Sequence, residues 1–241
     1  MIFGAILAGG VGSRMGIESM PKQFLLLGEK PIFIHTLEKF LLCPQFDAVY
    51  LGVHKDWVEF AEDAISSYID MHDIPVRVVA GGKDRNSTIM NIVDAISADH
   101  ACADDSIVVT HDSVRPFVKL STLEENIKAA LEFGACDTVV PATDTIVVSD
   151  DGRKIDSIPL RSTMYQGQTP QSFRISVLKK AYGRLEVEDL DSLTDACGML
   201  VMQGHPVQMV LGDSSNIKLT TIADYRIAQA MVGSGAVPDD K

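Results

Sequence analysis

The stretch ILAGGVGSRMGIESMPKQF, residues 6–24, joins the first hydrophobic run of the chain to its first helix. Ile2 to Leu7 is short, apolar and bounded by glycine, the pattern of a buried strand. Gly9, Gly10 and Gly12 give the backbone conformations closed to other residues and let a ligand approach its amides. Arg14 and Lys22 lie inside a loop of about a dozen residues, longer than a connection needs. Together these features read as a phosphate-binding loop, although a lone glycine cluster can also be plain punctuation. Two familiar motifs do not fit. A P-loop needs lysine followed by Ser or Thr, which is absent here. A dinucleotide fingerprint needs different glycine spacing than Gly10, Gly12 and Gly16, and an acidic residue ending the second strand, whereas Asp47 begins it.

Strand-like runs recur at residues 48–53, 76–80, 107–110, 138–141 and 207–211. Helical patterns lie at 31–42, 57–68, 86–97, 120–133, 175–185, 192–203 and 221–231. The alternation predicts an α/β fold with a doubly wound, mostly parallel sheet, which binds ligands beyond the carboxyl ends of its strands. The residues there agree. After the third strand comes GGKDRNST with Gly81, Gly82 and Arg85, and after the fourth comes HDSVRPF with Asp112 and Arg115. Most surface arginines are solvated charges, but cations recurring in three Gly- or Pro-bearing loops along one edge point to an anionic ligand.

The chain has 241 residues, 46% of them hydrophobic, enough for one large domain, expected over residues 1–232 with a flexible tail at 233–241. Its net charge of −12 excludes general nucleic-acid binding, so an anionic substrate must be drawn by a local basic patch. The four cysteines, Cys43, Cys102, Cys136 and Cys197, lack C-x-x-C spacing and read as reduced thiols. No run of eighteen apolar residues and no signal peptide is present, so no membrane contact is expected and a cytoplasmic location is.

Residues 142–173 break the rhythm. TIVVS and KIDSIPL are strand-like, DDG is a turn signal, and the segment is expected to form a protruding β-hairpin arm outside the main sheet. Its apolar residues need cover, either from a twofold partner or from its own domain.

The set ILAGGVGSRMG, PKQF, GGKDRNST, THDSVRPF, DTIV, QTPQSF, TDACGMLV and NIKLTT resembles the cytidylyltransferase family that makes CDP-methylerythritol and CDP-ribitol. The resemblance covers nearly the whole chain in order. SIPLRSTMYQGQTPQSF and GGKDRNSTIMNIVDAI look more like the ribitol-5-phosphate enzymes. The methylerythritol-phosphate enzymes usually carry Asp before the N-I-K triplet, and Ser215 stands here instead. The resemblance therefore implies Mg²⁺-dependent transfer from CTP to D-ribitol 5-phosphate, of the kind that feeds teichoic-acid or capsule-type polymers. The alternative is 2-C-methyl-D-erythritol 4-phosphate in isoprenoid precursor synthesis.

By the same resemblance, Arg14, Lys22 and Lys218 are the catalytic cations. Leu7, Ala8, Gly9, Gly10, Gly12, Gly81, Gly82, Arg85 and Thr88 surround the nucleotide. Asp112, Arg115, Thr145, Arg161 and Thr169 hold the acceptor, and Asp112 also suits a magnesium ligand. Arg161 and Thr169 match arm positions that reach the polyol phosphate of a neighbouring subunit, so a homodimer is implied, and a reductase supplying ribitol phosphate is a further possible partner. Thr145 reads equally as an ordinary strand residue, and His111 as a structural histidine. The acceptor phosphate is already an anionic nucleophile, so the chemistry asks for charge neutralisation and alignment and needs no nucleophile–base triad. A nucleotide sensor without catalysis would not need all of Arg14, Lys22, Asp112 and Lys218. A nicotinamide oxidoreductase is disfavoured by the loop spacing.

Overall fold

The computed structural model describes residues 1–10, 20–70, 73–101, 105–185 and 195–233. Strand β1 (Ile2–Ala8) is followed by the short antiparallel pair β2 (Leu26–Leu27) and β3 (Lys30–Pro31) and by helix α1 (Ile32–Leu41). Then come β4 (Ala48–Val53), α2 (Val58–Tyr68), β5 (Val76–Ala80), α3 (Arg85–Asp99), β6 (Ile107–Asp112), α4 (Leu120–Phe133) and β7 (Ala135–Pro141). The chain ends with β8 (Tyr165–Arg174), α5 (Ile175–Tyr182), α6 (Ala196–Met202), β9 (Gln208–Leu211) and α7 (Ile222–Gly233).

Among the described residues the main sheet has seven strands in the order β5-β4-β1-β6-β8-β7-β9, of which only β8 runs antiparallel to its neighbours. Its two faces are set by the period of two along the strands. Ile6, Ala8, Val49, Leu51, Val53, Ile107 and Val109 face the core packed by α1, α2 and α4. Phe3, Ala5, Ala48, Tyr50 and Val108 face the opposite core, against α3, α5 and α6. At Gly52 a Cβ would lie 2.7 Å from Thr88 Cγ2 and 2.9 Å from Ile92 Cδ1. The missing side chain lets α3 close on the sheet and brings its first turn to the carboxyl edge.

The α/β expectation holds, with one correction. The arm was expected to extend to Phe173 outside the sheet, but Tyr165–Arg174 is β8, wedged between β6 and β7. Its sequence, YQGQTPQSFR, is polar and carries a proline, features that argue against an interior strand. Threonine side chains of β6, β7 and β8 itself supply bonds across the strands. Thr110 Oγ1 donates to Gln171 O at 2.9 Å, Thr138 Oγ1 donates to Pro170 O at 2.6 Å, and Thr169 Oγ1 accepts the Asp112 N–H at 3.1 Å. The pairing register with β7 shifts at the same place, between Asp137 and Val139. The arm proper spans residues 142–164. It holds one antiparallel bridge, Val148 to Ser157, and leaves Val147, Val148, Ile155, Ile158 and Leu160 exposed, Leu160 at 70%. Cys43, Cys136 and Cys197 are buried free thiols, while Cys102 lies outside the described residues, as do 234–241 of the expected tail. No helix among the described residues is long and apolar enough to cross a membrane.

Gln171 draws two carboxylates together, its Nε2 donating to Asp137 Oδ1 at 3.1 Å and to Asp195 Oδ2 at 3.0 Å. Burial, with the Asp195 charge, outweighs the Gln171 hydrogen bond and raises Asp137 to about 6. The folded state therefore binds this proton more tightly than the unfolded chain. Stability falls as pH rises from about 4 to about 6 and stays lower above that. Asp137→Asn keeps an acceptor for Gln171 and removes the charge. Denaturant unfolding should find the variant more stable than wild type at pH 7, by about 1–3 kcal/mol, with the gain gone at pH 4. An equal effect at both pH values would contradict this account.

Candidate active site

A cleft of about 490 Å³ opens at the carboxyl edge of the sheet. Of the sequence-derived site residues, Leu7, Ala8, Gly9, Gly10, Lys22, Gly82, Arg85, Thr88, Asp112 and Lys218 line it. Each arrives by its own route. Leu7 to Gly10 form the end of β1 and its turn, and Lys22 opens a single 3₁₀ turn, Lys22–Phe24, held by Phe24 N donating to Pro21 O. Gln23, 2% exposed, sends its Nε2 back to Ala8 O at 2.6 Å and Gly10 O at 2.9 Å, fastening the two ends of the glycine loop to each other.

The second wall is the turn from β5 into α3. Asp84 caps the helix, accepting the Ser87 N–H at 2.7 Å, and Ser87 Oγ accepts the Asp84 N–H at 3.0 Å, a reciprocal capping box. Thr88 Oγ1 accepts from Gly82 N at 3.0 Å and donates to Asp84 O at 2.8 Å. A Cβ on Gly82 would lie 2.3 Å from Ser87 Oγ and 2.8 Å from the Ser87 carbonyl carbon, so only glycine lets this turn pass under the helix start. Gly81 donates to Val53 O at 2.6 Å, tying the turn to β4.

The floor is Asp112, at the last position of β6. Its oxygens face three cations from three separate parts of the chain: Lys218 Nζ at 2.9 Å, Arg115 Nε at 3.5 Å and Arg85 Nε at 3.6 Å. Burial would raise this carboxyl, but the charges of Arg85, Lys218 and Arg115 prevail and keep it ionised well below the usual carboxylate range. Burial presses Arg115 in the opposite direction, and its Nη1 donates to Asn216 O at 2.7 Å. His111 is fully buried against Phe40, its Nε2 lies 3.1 Å from Arg115 O, and burial pushes it down to about 4, so it is neutral near pH 7. That is the structural histidine the sequence suggested.

Other sequence-derived residues stand apart from this lining. Arg115 and Thr169 contact Asp112 without lining the cleft, and Thr169, expected on the arm, lies instead in β8 beside Asp112 of its own chain. Arg161 is exposed on the arm, its Nη1 donating to Thr143 O at 3.2 Å, and Thr145 is exposed nearby. Arg14 and Gly12 lie outside the described residues. The sequence reading missed Gln23, His54, Lys83, Asp84, Ser113 and Val114, which also line the cleft. The D-x-x-S pattern at Asp84 is the capping signal that could have found one of them.

No group of three or more metal-ligating side chains occurs among the described residues, so an all-protein cation cage is not offered there. One ionised carboxylate at a strand end, amid cations suited to phosphate, fits a magnesium ion carried mainly by nucleotide phosphates, which needs only one or two protein oxygens.

An open α/β sheet whose carboxyl-edge cleft joins glycine turns to clustered cations defines a nucleotide-handling enzyme of the transferase type. Residues 2–234 match the family described as IspD, 2-C-methyl-D-erythritol 4-phosphate cytidylyltransferase. The chain belongs to that family of nucleotidyltransferases, whose members are generally dependent on a divalent metal. Similar solved structures include 4-diphosphocytidyl-2C-methyl-D-erythritol synthase from Anaerococcus prevotii, 27% identical over 96% of both chains with a TM-score of 0.78. The 2-C-methyl-D-erythritol 4-phosphate cytidylyltransferase of Francisella tularensis is 26% identical over 95% of this chain and 98% of its own, with a TM-score of 0.76. The Thermus thermophilus enzyme of the same name, 23% identical over 97% of this chain and all of its own, shares the fold at a TM-score of 0.69.

Removing the central charge should expose what it balances. Asp112→Asn leaves Arg85, Arg115 and Lys218 without their common counter-ion, which should cost about 3 kcal/mol of stability. Pyrophosphate, added without metal, should raise the unfolding temperature of the variant more than that of wild type, because it supplies the missing charge. Equal pyrophosphate shifts in the two proteins would show that the cations do not depend on Asp112.

Proposed function

We propose that this protein transfers the cytidylyl group of CTP to the phosphate of a short polyol phosphate, releasing pyrophosphate. The observation that carries this reading is the meeting of Arg85, Arg115 and Lys218 around one ionised carboxylate, in a cleft that Lys22 and glycine turns also line. An acceptor phosphate oxygen forms a bond to the α-phosphorus, and the bond from that phosphorus to the bridging oxygen breaks, its electron pair leaving on pyrophosphate. The nucleophile is already an anion, so alignment and charge stabilisation supply the catalysis.

In this reading Ala8, Gly9, Gly81, Gly82 and Thr88 hold cytosine and ribose with Leu7 beside them, and the amides of Gly10 and Gly12 hold phosphate oxygens. Lys22 and Arg14 meet the charge that develops on the α-phosphate, while Arg85 and Lys218 turn from Asp112 toward the triphosphate. Asp112 would hold Mg²⁺, which supplies Lewis-acid neutralisation of the phosphates when bound. Arg115 and Thr169 fix the acceptor side, with Thr145 and Arg161 contributed from the arm of a second subunit. An isologous dimer would also cover the exposed Val147, Val148, Ile155, Ile158 and Leu160. The family's soluble character supports a cytoplasmic setting.

The family description and the names of the similar structures support 2-C-methyl-D-erythritol 4-phosphate as the acceptor better than D-ribitol 5-phosphate. Ribitol 5-phosphate is a second reading on three specific features, Ser215 before the N-I-K triplet and the SIPLRSTMYQGQTPQSF and GGKDRNSTIMNIVDAI segments. With it would go a role in teichoic-acid or capsule-type polymers and a reductase partner. Pyrophosphate release should be measured with CTP, Mg²⁺ and each acceptor in turn. The true acceptor should exceed the other by at least about 100-fold in kcat/KM, since a site built to hydrogen-bond particular hydroxyls discriminates strongly. Turnover with neither would overturn the reading.

The shared site has its own test. Arg161→Ala and Arg14→Ala chains should each be nearly inactive. Mixed to form heterodimers, they should regain up to half of the wild-type activity per active-site pair, because one composite site is then intact. Verified heterodimers as inactive as their parents would confine the arm to its own subunit.

A further inference from the structure

We infer that Asn216 is a positioning residue that holds Lys218 on Asp112 and locks this lysine to strand β8, an inference that rests on the transferase reading for its kinetic consequence. Lys218 stands in residues 212–221, which belong to no helix or strand and so have no backbone ladder to fix them. Two residues before Lys218, the anchor is a buried amide. Asn216 is 1% exposed, and its Nδ2 uses both protons on β8, donating to Thr169 O at 2.8 Å and to Gln168 Oε1 at 3.2 Å. Its own carbonyl accepts from Arg115 Nη1 at 2.7 Å, and its N–H donates to Asp213 O at 3.1 Å.

These bonds close a ring. Asp112 N donates to Thr169 Oγ1, Thr169 O accepts from Asn216, Asn216 O accepts from Arg115, and Arg115 returns to the Asp112 carboxylate. Every member is buried, so each bond is made without competition from water and is costly to break. The ring fixes the main chain two residues before Lys218 relative to the end of β6. Leu219, fully buried and donating its N–H to Val114 O at 2.9 Å, fixes the residue after it. Lys218 is thus held from both sides, and its Nζ reaches Asp112 Oδ2 at 2.9 Å although its side chain is 41% exposed. A long, rotamer-rich side chain at that exposure pays a large entropic cost to stay in one place. A fixed main chain on either side lowers the number of arrangements it can explore. Asn216 does not line the cleft, so its effect on turnover passes through the lysine.

The test is a double-substitution cycle. Asn216→Ser removes the two donors to β8, and Lys218→Ala removes the cation. Each single variant should lower kcat by about 10-fold or more while changing KM for CTP less than threefold. The double variant should be no slower than Lys218→Ala alone, as expected when one residue acts only through the other. In parallel, the labelling rate of the Lys218 amine by an amine-reactive reagent, read by mass spectrometry, should rise at least threefold in Asn216→Ser. Multiplying effects in the cycle, or unchanged labelling, would overturn the inference. Asn216→Asp keeps the shape and replaces the donors by a second acceptor. It should reproduce the serine variant, and loss of folding in both would assign the amide to the fold and overturn the inference equally. A wild-type protein inactive with every acceptor would overturn the transferase reading, and the labelling rate would still decide whether Asn216 positions Lys218.

Discussion

A single buried carboxylate organises the carboxyl edge of this sheet. Asp112 ends β6 and receives Arg85 from the start of α3, Arg115 from the turn that follows β6, and Lys218 from the loop after β9. These cations come from distant parts of the sequence and would repel one another if brought together alone. Placing one negative charge among them turns mutual repulsion into a shared attraction, strongest toward Arg115, where both partners are shielded from water. The chain as a whole carries a net charge of −12, so the cationic cluster is a local inversion of its surroundings. Such an inversion attracts a polyanion to one place on an otherwise repulsive surface.

The same aspartate explains why β8 can be an interior strand with so polar a sequence. Beyond the Thr110–Gln171 pair, the partner of Asp112 N–H is the hydroxyl of Thr169 rather than a backbone carbonyl. Thr169 O is then free of the ladder and available to Asn216. Buried Asn126 performs a similar service on the other side, donating to Thr138 Oγ1 at 2.8 Å while Thr138 satisfies Pro170 O. The strand trades ladder hydrogen bonds for side-chain ones. The polar residues that result stand next to the site, where a fully apolar strand would offer nothing to a phosphate or a hydroxyl.

That trade also marks where the sequence could and could not be read. The apolar strands and the helices packed on them were legible, because burial on both faces of a parallel sheet produces continuous hydrophobic runs and crossovers produce helical periods. The glycine turns and the cations behind them were legible because Gly and Pro punctuate strand ends. Strand β8 was not, since Gln166, Gln168, Pro170 and Gln171 carry no strand period, and its partners are side chains 30 or more positions away. Gln23 and Asn216 were equally hidden. An amide that fastens two carbonyls has no spacing rule, and only the fold brings its acceptors within reach. Thr145 and Arg161, which the sequence reading assigned to the acceptor, sit on an exposed arm and do not line the cleft of their own chain.

The three cations around Asp112 are not equally committed to it. The Arg115 side chain is 10% exposed and is also held by Asn216 O, Arg85 is 23% exposed, and Lys218 is 41% exposed at the mouth of the cleft. Solvent screens an exposed pair more than a buried one, so the cost of parting from Asp112 falls in that order. Arg115 behaves as part of the framework. Lys218 has the shortest contact, 2.9 Å, but also the freest approach from solvent, and exchanging one carboxylate for phosphate oxygens leaves its charge compensated throughout. A site graded in this way folds with its cations balanced internally and can give up the outer ones to a polyanion while the inner one keeps Asp112 ionised and in place. Asn216 touches Arg115 and lies two residues before Lys218, so it joins the most fixed member of the cluster to the most available one.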